Sequence, residues 1–184
     1  VAVVLKESGK VIGMEALLRW RHPEKGIIPP SQFIPVAEET GWIVPIGEWV
    51  LKEACRQNME WQKAGLKPIP VAVNISARQF QHPNFFDSVF HILEEAGLNP
   101  RYLELEITES IFQSADKVIF GVNRLKQSGV QISIDDFGTG YSSLSYLKRF
   151  PVDTLKIDQS FIHDYLHHPK GAALVKAIIA LAES

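Results

Sequence analysis

Strand-like and helix-like segments alternate along almost the whole of this 184-residue chain, and that order constrains its fold more than any other feature. Val1–Leu5 and Val11–Leu18 are β-like, separated by the turn residues Glu7-Ser8-Gly9-Lys10. Ser31 is expected to cap a short helix reaching about Glu39, and a second helix runs from Ile46 to about Lys63, with Trp49, Ala54 and Trp61 among its apolar positions. The pattern then predicts strands at Val71–Ile75, Tyr102–Ile107, Val130–Ile134 and Thr154–Ile157. Helices are expected over 84–96, 116–127, 142–149 and 171–183, with Gly97 and Gly129 as stops. Strands recur roughly every 25–30 residues, close to the length of one βα unit. Such an order implies a parallel sheet covered by helices. No glycine-rich phosphate loop follows any strand, which weighs against the nucleotide-binding doubly wound folds.

A (β/α)8 barrel typically needs ~250 residues. With about six strands in view, a barrel reading places the last two beyond Ser184. The chain begins in an apolar β-like run without an initiator Met and stops within a helical pattern, as expected of a piece of a longer protein. Residues 1–184 show no interior linker, repeat or low-complexity stretch, so one partial domain is expected.

The ends of the strands carry the chemistry. Asn74 closes Val71-Ala72-Val73, Glu106 sits near the end of Leu103-Glu104-Leu105, and Asp135 and Asp136 follow Ile132-Ser133-Ile134. Lys156 and Asp158 close the last strand, and Glu15 lies in the second. Strands of a parallel sheet are buried on both faces and read as apolar, so carboxylates there must be paired or metal-bound. In a barrel, the carboxyl edge of the strands is where active sites are built. Glu15, Asn74, Glu106, Asp135 and Asp136 form an all-oxygen donor set, which suits Mg²⁺ or Mn²⁺ better than Zn²⁺. One or two divalent cations would relieve the repulsion among the four carboxylates. The alternative is a set of unrelated surface acids and helix caps, and it has to explain five successive units at once.

Two basic residues belong to the same region. Arg19 lies four residues after Glu15 and shares its strand parity if the strand continues; it suits phosphate recognition or a salt bridge to a nearby acid. Lys156 suits a water or a developing phosphate charge, or an ion pair with Asp135 or Asp158. Gly138-Thr139-Gly140 reads either as a mobile loop beside the site or as a tight turn with glycine at positive φ. A kinase reading of Asp136-Phe137-Gly138 fails, since the chain has no His-Arg-Asp loop and no Ala-Pro-Glu.

Other classes are excluded by composition. Nineteen Lys and Arg against 21 Asp and Glu give a net charge of −2, not the basic excess of a protein that holds polymeric nucleic acid by bulk charge. A single cysteine, Cys55, cannot form an internal disulfide, so a secreted disulfide scaffold is ruled out and a cytoplasmic setting is expected. No apolar run approaches the ~18–20 residues of a membrane span. The six histidines show no zinc spacing, and Trp20, Trp42, Trp49 and Trp61 are expected in the core or in helix packing.

Glu15-Ala16-Leu17-Leu18-Arg19-Trp20 resembles the signature of the EAL domain, the cyclic-di-GMP phosphodiesterase family. The likeness continues through Asn74-Ile75-Ser76, Glu106-Ile107-Thr108-Glu109, Asp135-Asp136-Phe137-Gly138-Thr139-Gly140 and Leu155-Lys156-Ile157-Asp158, in order over nearly the whole chain. The resemblance implies a TIM-like (β/α)8 barrel with its first strand antiparallel, here incomplete at the C-terminus, and hydrolysis of cyclic-di-GMP to the linear dinucleotide with Mg²⁺ or Mn²⁺. By motif, Glu15, Asn74, Glu106 and Asp135 would bind one metal, and Asp135 and Asp136 would help to hold a second. Lys156 would contact the attacking water or the scissile phosphate, and Glu109 would stabilise the loop after Asp136. Leu17 and Arg19 would touch the substrate, Arg19 at a phosphate.

The resemblance also implies a homodimer paired through helices near the Asp135–Gly140 loop, and sensor or GGDEF domains fused in the parent. The chain departs from the family where either Val1-Ala2 stands in place of a ligand-touching Gln-Pro pair or that stretch is missing, and in lacking Glu-Gly-Val-Glu and Gln-Gly segments. The 184-residue piece alone is therefore expected to be inactive, and a complete parent active. The competing readings are a degenerate EAL module that binds cyclic-di-GMP or a protein without hydrolysis, and an enolase-type barrel lyase.

Overall fold

A computed structural model describes residues 2–5, 9–138, 147, 149–161 and 169–182. In chain order the strands are β1 (Ala2–Leu5), β2 (Val11–Ala16), β3 (Trp20–His22), β4 (Gly26–Ile28), β5 (Val71–Ile75), β6 (Leu103–Thr108), β7 (Gln131–Phe137) and β8 (Thr154–Ile157). The helices are α1 (Pro30–Thr40), α2 (Ile43–Lys63), α3 (Ala77–Phe80), α4 (Phe85–Ala96), α5 (Ala115–Ser128) and α6 (Pro169–Ala182). Six strands form one curled sheet in the order β1-β2-β5-β6-β7-β8, an incomplete barrel. β1 pairs antiparallel with β2, and every later pair in this sheet is parallel.

The two faces of each strand follow from side-chain alternation. Val71, Val73 and Ile75 on β5, Leu103, Leu105 and Ile107 on β6, and Ile132 and Ile134 on β7 are all buried. They pack under the helices, which present buried residues at three- and four-residue spacing: Leu51, Ala54, Cys55 and Asn58 on α2, Val89, Ile92 and Leu93 on α4, and Val118, Val122 and Leu125 on α5. The buried Asn58 is satisfied: its Nδ2 donates to the Ile69 carbonyl at 3.0 Å and its Oδ1 accepts from Gln62 at 2.9 Å. The alternate residues, Glu15, Asn74, Glu106, Ser133, Asp135 and Lys156, share the opposite, barrel-interior face. Parallel register sets them side by side, with Asn74 opposite Glu106 and Glu106 opposite Ser133.

Some sequence expectations are corrected. β2 stops at Ala16 rather than Leu18, so strand parity does not carry Arg19 to the face of Glu15. A short hairpin, β3 and β4, follows instead; its turn is tied by His22, whose Nδ1 accepts from the Glu24 and Lys25 amides. Ser31 is not the cap of α1, because the helix starts one residue earlier behind Pro29, with Pro30 in its first turn. Trp20, Trp42 and Trp49 are 47–66% exposed rather than in the core, although Trp20 does pack edge-on against Phe33 of α1. Trp49 sits two residues before Leu51, about 200° round the helix from it, and so leaves the buried stripe. Most of the expected helix over 142–149 (all but residues 147 and 149), Thr139 and Gly140, and His163, His167 and His168 fall outside the described residues. No described helix is long and apolar enough to cross a membrane.

Candidate functional site

Glu106 is the centre of the polar face. Its residue exposure is 1%, and its Oε1 is in direct contact with the Lys156 ammonium from β8. Its Oε2 is buried with no hydrogen-bond partner among the described residues. Burial pushes the Glu106 carboxyl up to about 7; Lys156 opposes the rise, while the charges of Glu15 and Asp135 add to it. Burial alone would lower Lys156, but the contact with Glu106 and the fields of Glu106, Asp135 and Glu15 outweigh it, so the ammonium is held charged. The sequence offers Asp135 or Asp158 as the partner of Lys156; the structure pairs it with Glu106, which rises from the same barrel-interior face.

Glu15 and Asn74 meet next to this pair. Asn74 Nδ2 donates to Glu15 Oε1 at 2.8 Å, joining the ends of β2 and β5. Asp135 lies close enough to Glu106 and Lys156 for its charge to act on both.

Asp136 has φ 52°, the one non-glycine in the left-handed region among the described residues. Asp tolerates this region through local hydrogen bonding, and such outliers gather at functional sites. Burial and the charges of Asp135 and Asp158 raise its carboxyl, and it shares a hydrogen bond with Asp158. Asp158 is lowered, chiefly because the Ser160 hydroxyl and amide donate to it. In the sequence Asp158 stands at a strand end and is offered only as an ion-pair partner of Lys156; its hydrogen bonds to Ser160 and Asp136 are not singled out there. Glu109, at the start of the turn after β6, accepts from the Gly138 amide at 2.5 Å and so ties down the backbone after Asp136.

Leu17 and Arg19 stand apart from the acids, in the loop after β2. Both line a cavity of about 510 Å³ together with Asn74, Glu106, Ser76 and Gln79. Arg19 donates to the Leu18 carbonyl at 2.7 Å and, among the described residues, pairs with no carboxylate. Much of the opposite wall comes from α1 and α2, through Pro30, Ile34, Glu38, Ile46 and Gly47. Nothing in the one-dimensional pattern marks these as site residues. Ser76-x-x-Gln79, by contrast, is a capping-box signature that can be read from sequence, although it is not among the candidates singled out above.

The donor chemistry fits a hard divalent cation. The converging groups are carboxylate and amide oxygens, and one buried anionic oxygen lacks a partner. Among the described residues no three acidic, His or Cys side chains converge closely enough to cage an ion by themselves. Lys156 supplies the local counter-charge instead.

Fold and site together define an α/β-barrel protein with an acidic, all-oxygen site at the carboxyl edge of its strands. Residues 2–184 match the EAL domain, and the chain belongs to that family. It is 52% identical over 182 residues to the bifunctional diguanylate cyclase/cyclic di-GMP phosphodiesterase MucR of Pseudomonas aeruginosa, a match that takes in 98% of this chain and 27% of that protein. It is 44% identical to the cyclic di-GMP phosphodiesterase PdeR of Escherichia coli, over 96% of this chain and 27% of that one. Among solved structures, the PaMucR phosphodiesterase in complex with c-di-GMP superposes with a TM-score of 0.93 at 51% identity, covering 99% of this chain and 74% of that one. The chain thus spans about a quarter of the length of these curated relatives.

Proposed function

We propose that this chain is the larger part of a metal-dependent phosphodiesterase domain that hydrolyses cyclic-di-GMP to the linear dinucleotide. The observation that carries the reading is the buried Glu106, with one oxygen held by Lys156 and the other unpartnered, within reach of the fields of Glu15 and Asp135. The 51% identity to a structure solved with c-di-GMP supports the substrate class. In the reaction, water attacks phosphorus in line, one P–O ester bond breaks, and the leaving ribose oxygen takes up a proton.

The residues divide this work. Glu15, Asn74, Glu106 and Asp135 would hold one Mg²⁺ or Mn²⁺, and Asp135 with Asp136 a second. Bound there, such ions would supply a water made far more acidic than in bulk, towards a pKa of ~7, and a counter-charge for phosphate oxygens. Lys156 orients the attacking water or the scissile phosphate. Glu109 fixes the backbone that presents Asp136. Arg19, free of acidic partners among the described residues, binds a phosphate oxygen, and Leu17 packs on the substrate.

Residues 1–184 form a single domain in this reading, completed in the parent as a TIM-like barrel whose first strand runs against the rest. A cytoplasmic setting suits the substrate. The greater length of the relatives, one of them named a diguanylate cyclase as well, supports fused sensor or GGDEF domains. Homodimerisation through helices near the Asp135–Gly140 loop completes the reading. Sedimentation as a monomer over a wide concentration range would remove that part.

The test is turnover of cyclic-di-GMP by the full-length parent with Mg²⁺ or Mn²⁺, beside Glu15→Ala. Metal-dependent release of the linear dinucleotide, lost in the variant, establishes the hydrolase. Tight binding of the intact ligand without product would overturn it in favour of a binding module.

A further inference from the structure

Asn74 is followed directly in the chain by a turn whose contacts run back to α2. Two residues after it, Ser76 caps the single-turn helix α3: its Oγ accepts from the Gln79 amide at 3.2 Å, and Gln79 Oε1 accepts from the Ser76 amide at 3.2 Å. Gln79 is only 3% exposed, and its Nε2 is buried with no hydrogen-bond partner among the described residues. A Met or Leu at this position would fill similar space without leaving a buried donor unpaired, so the amide carries a stability cost that its packing does not explain. What the amide provides is the oxygen that receives the Ser76 N–H.

Gly47 on α2 makes this arrangement possible. A Cβ there would lie 1.6 Å from Gln79 Nε2 and 2.5 Å from its Cδ, so no side chain can occupy position 47 while Gln79 keeps its place. The residues on either side of Gln79 anchor the same turn in other directions. Arg78 donates to the Glu38 and Glu39 carbonyls at the end of α1, and Phe80 is fully buried against Phe85 and Phe86. Gln79 and Gly47 also line the cavity that contains Asn74 and Glu106.

We propose that Gln79, seated against Gly47, is a positioning residue that sets Asn74 at the height needed to donate to Glu15 and to face the cation site. The inference rests on the metal-dependent reading above but has a part that stands without it. Side-chain partners that orient metal ligands typically change metal affinity by about 10–100-fold when removed.

The test compares Gln79→Met, which keeps the volume and removes the acceptor, with Gln79→Glu, which keeps a capping oxygen. Gly47→Ala serves as the displacement variant, and Val122→Ala, on α5, as a control for general destabilisation. In the metal-free protein, the Asn74 side-chain amide resonances and the exchange of the Ser76 N–H are followed by NMR. Mn²⁺ affinity is then measured by electron paramagnetic resonance of the free ion. Gln79→Met and Gly47→Ala are expected to move the Asn74 resonances towards those of a free amide, speed Ser76 exchange, and weaken Mn²⁺ binding at least about tenfold. Gln79→Glu should stay within about threefold of the parent, since Glu serves the same capping box.

Unchanged Asn74 resonances in Gln79→Met, or an equal Mn²⁺ loss in Val122→Ala, would overturn the proposal. Shifted resonances in a protein that binds no Mn²⁺ would uphold the positioning role and refute the metal-dependent reading.

Discussion

The Lys156 ammonium rests against Oε1 of Glu106, the most buried carboxylate among the described residues, so the charge balance of the site is set by one pair from β6 and β8. Lys156→Met leaves that carboxylate without its counter-charge. A fully buried broken pair costs ~3–5 kcal/mol while the carboxyl is ionised, and the 29% exposure of the Lys156 side chain brings the expected loss to about 2 kcal/mol at pH values well above 7. At lower pH Glu106 takes up a proton instead and the loss shrinks. Adding Glu106→Gln should recover most of it. Urea denaturation of the two single variants and the double variant closes the cycle, and additive losses would refute the coupling.

Glu106 also gives the metal-free protein a pH dependence of definite sign. Its carboxyl rises from 4.5 to about 7 in the folded state, so its contribution to stability is fully present below 4.5 and is lost as pH rises to about 7. That span is worth roughly 3 kcal/mol at most. Glu106→Gln stays neutral throughout and lacks this loss. The stability of the variant relative to the parent should therefore increase between pH 4.5 and 7 and level off above. Parallel curves for the two proteins would show that Glu106 ionises normally.

The Glu109 carboxylate accepts from the Gly138 amide directly after β7. Gly138 has φ 103°, and a Cβ on it would lie 2.7 Å from the Phe161 ring. Gly138→Ala therefore strains both backbone and packing, at about 1–3 kcal/mol. Glu109→Ala removes the acceptor of the Gly138 amide and releases the backbone that presents Asp136. In the full-length parent, Glu109→Ala should lower kcat about tenfold or more, while Glu109→Gln, which keeps an oxygen there, should lose less. Equal losses would mean that charge, and not the bond to Gly138, is what matters.

Several of these relationships are legible in the amino-acid order, because they lie in runs with a clear period. Val71–Ile75 and Thr154–Ile157 read directly as strands, since β-branched and apolar residues are bounded there by turn signals. The polar residues at their ends stand out against an apolar background, which is why Glu15, Asn74, Glu106 and Lys156 can be placed on one edge. The hairpin of β3 and β4 escapes such a reading because three-residue strands carry too little pattern. The exposed Trp42 and Trp49 mislead, because hydrophobicity alone does not say whether a residue at the start of a helix or along it faces the core. Which acid binds Lys156 depends on register between β6, β7 and β8, and register is a three-dimensional property. The wall built by α1 and α2 is hidden for the same reason.

Cys55 is fully buried on α2, and burial pushes its thiol up to about 12. At a pH of about 8 it should resist thiol reagents in the native protein and react once the chain is unfolded. Because the folded thiol holds its proton more tightly than the unfolded one, its contribution to stability persists below about 9 and is lost as pH rises towards 12. Cys55→Ala should therefore flatten the alkaline limb of the stability curve. Rapid labelling under native conditions would show that α2 opens far more readily than its packing implies.

Metal addition tests the site without reference to turnover. A cation that binds only the folded protein stabilises it by about 2.7 kcal/mol at a hundred times its Kd. For a chain of this size that corresponds to a rise in Tm of roughly 5–10 °C. Mn²⁺ or Mg²⁺ should produce such a rise in the parent and chelation should reverse it. Glu106→Gln and Glu15→Ala should abolish it, because each removes an anionic oxygen from the donor set, and Ca²⁺, which favours six to eight ligands, should be less effective. Asn74→Asp separates charge from geometry. It adds a carboxylate beside Glu15 and removes the amide that donates to it at 2.8 Å, so it should lower the Tm of the metal-free protein and enlarge the metal-induced rise. An identical metal response in Glu106→Gln and the parent would place any cation binding elsewhere on the molecule and detach Glu106 from it.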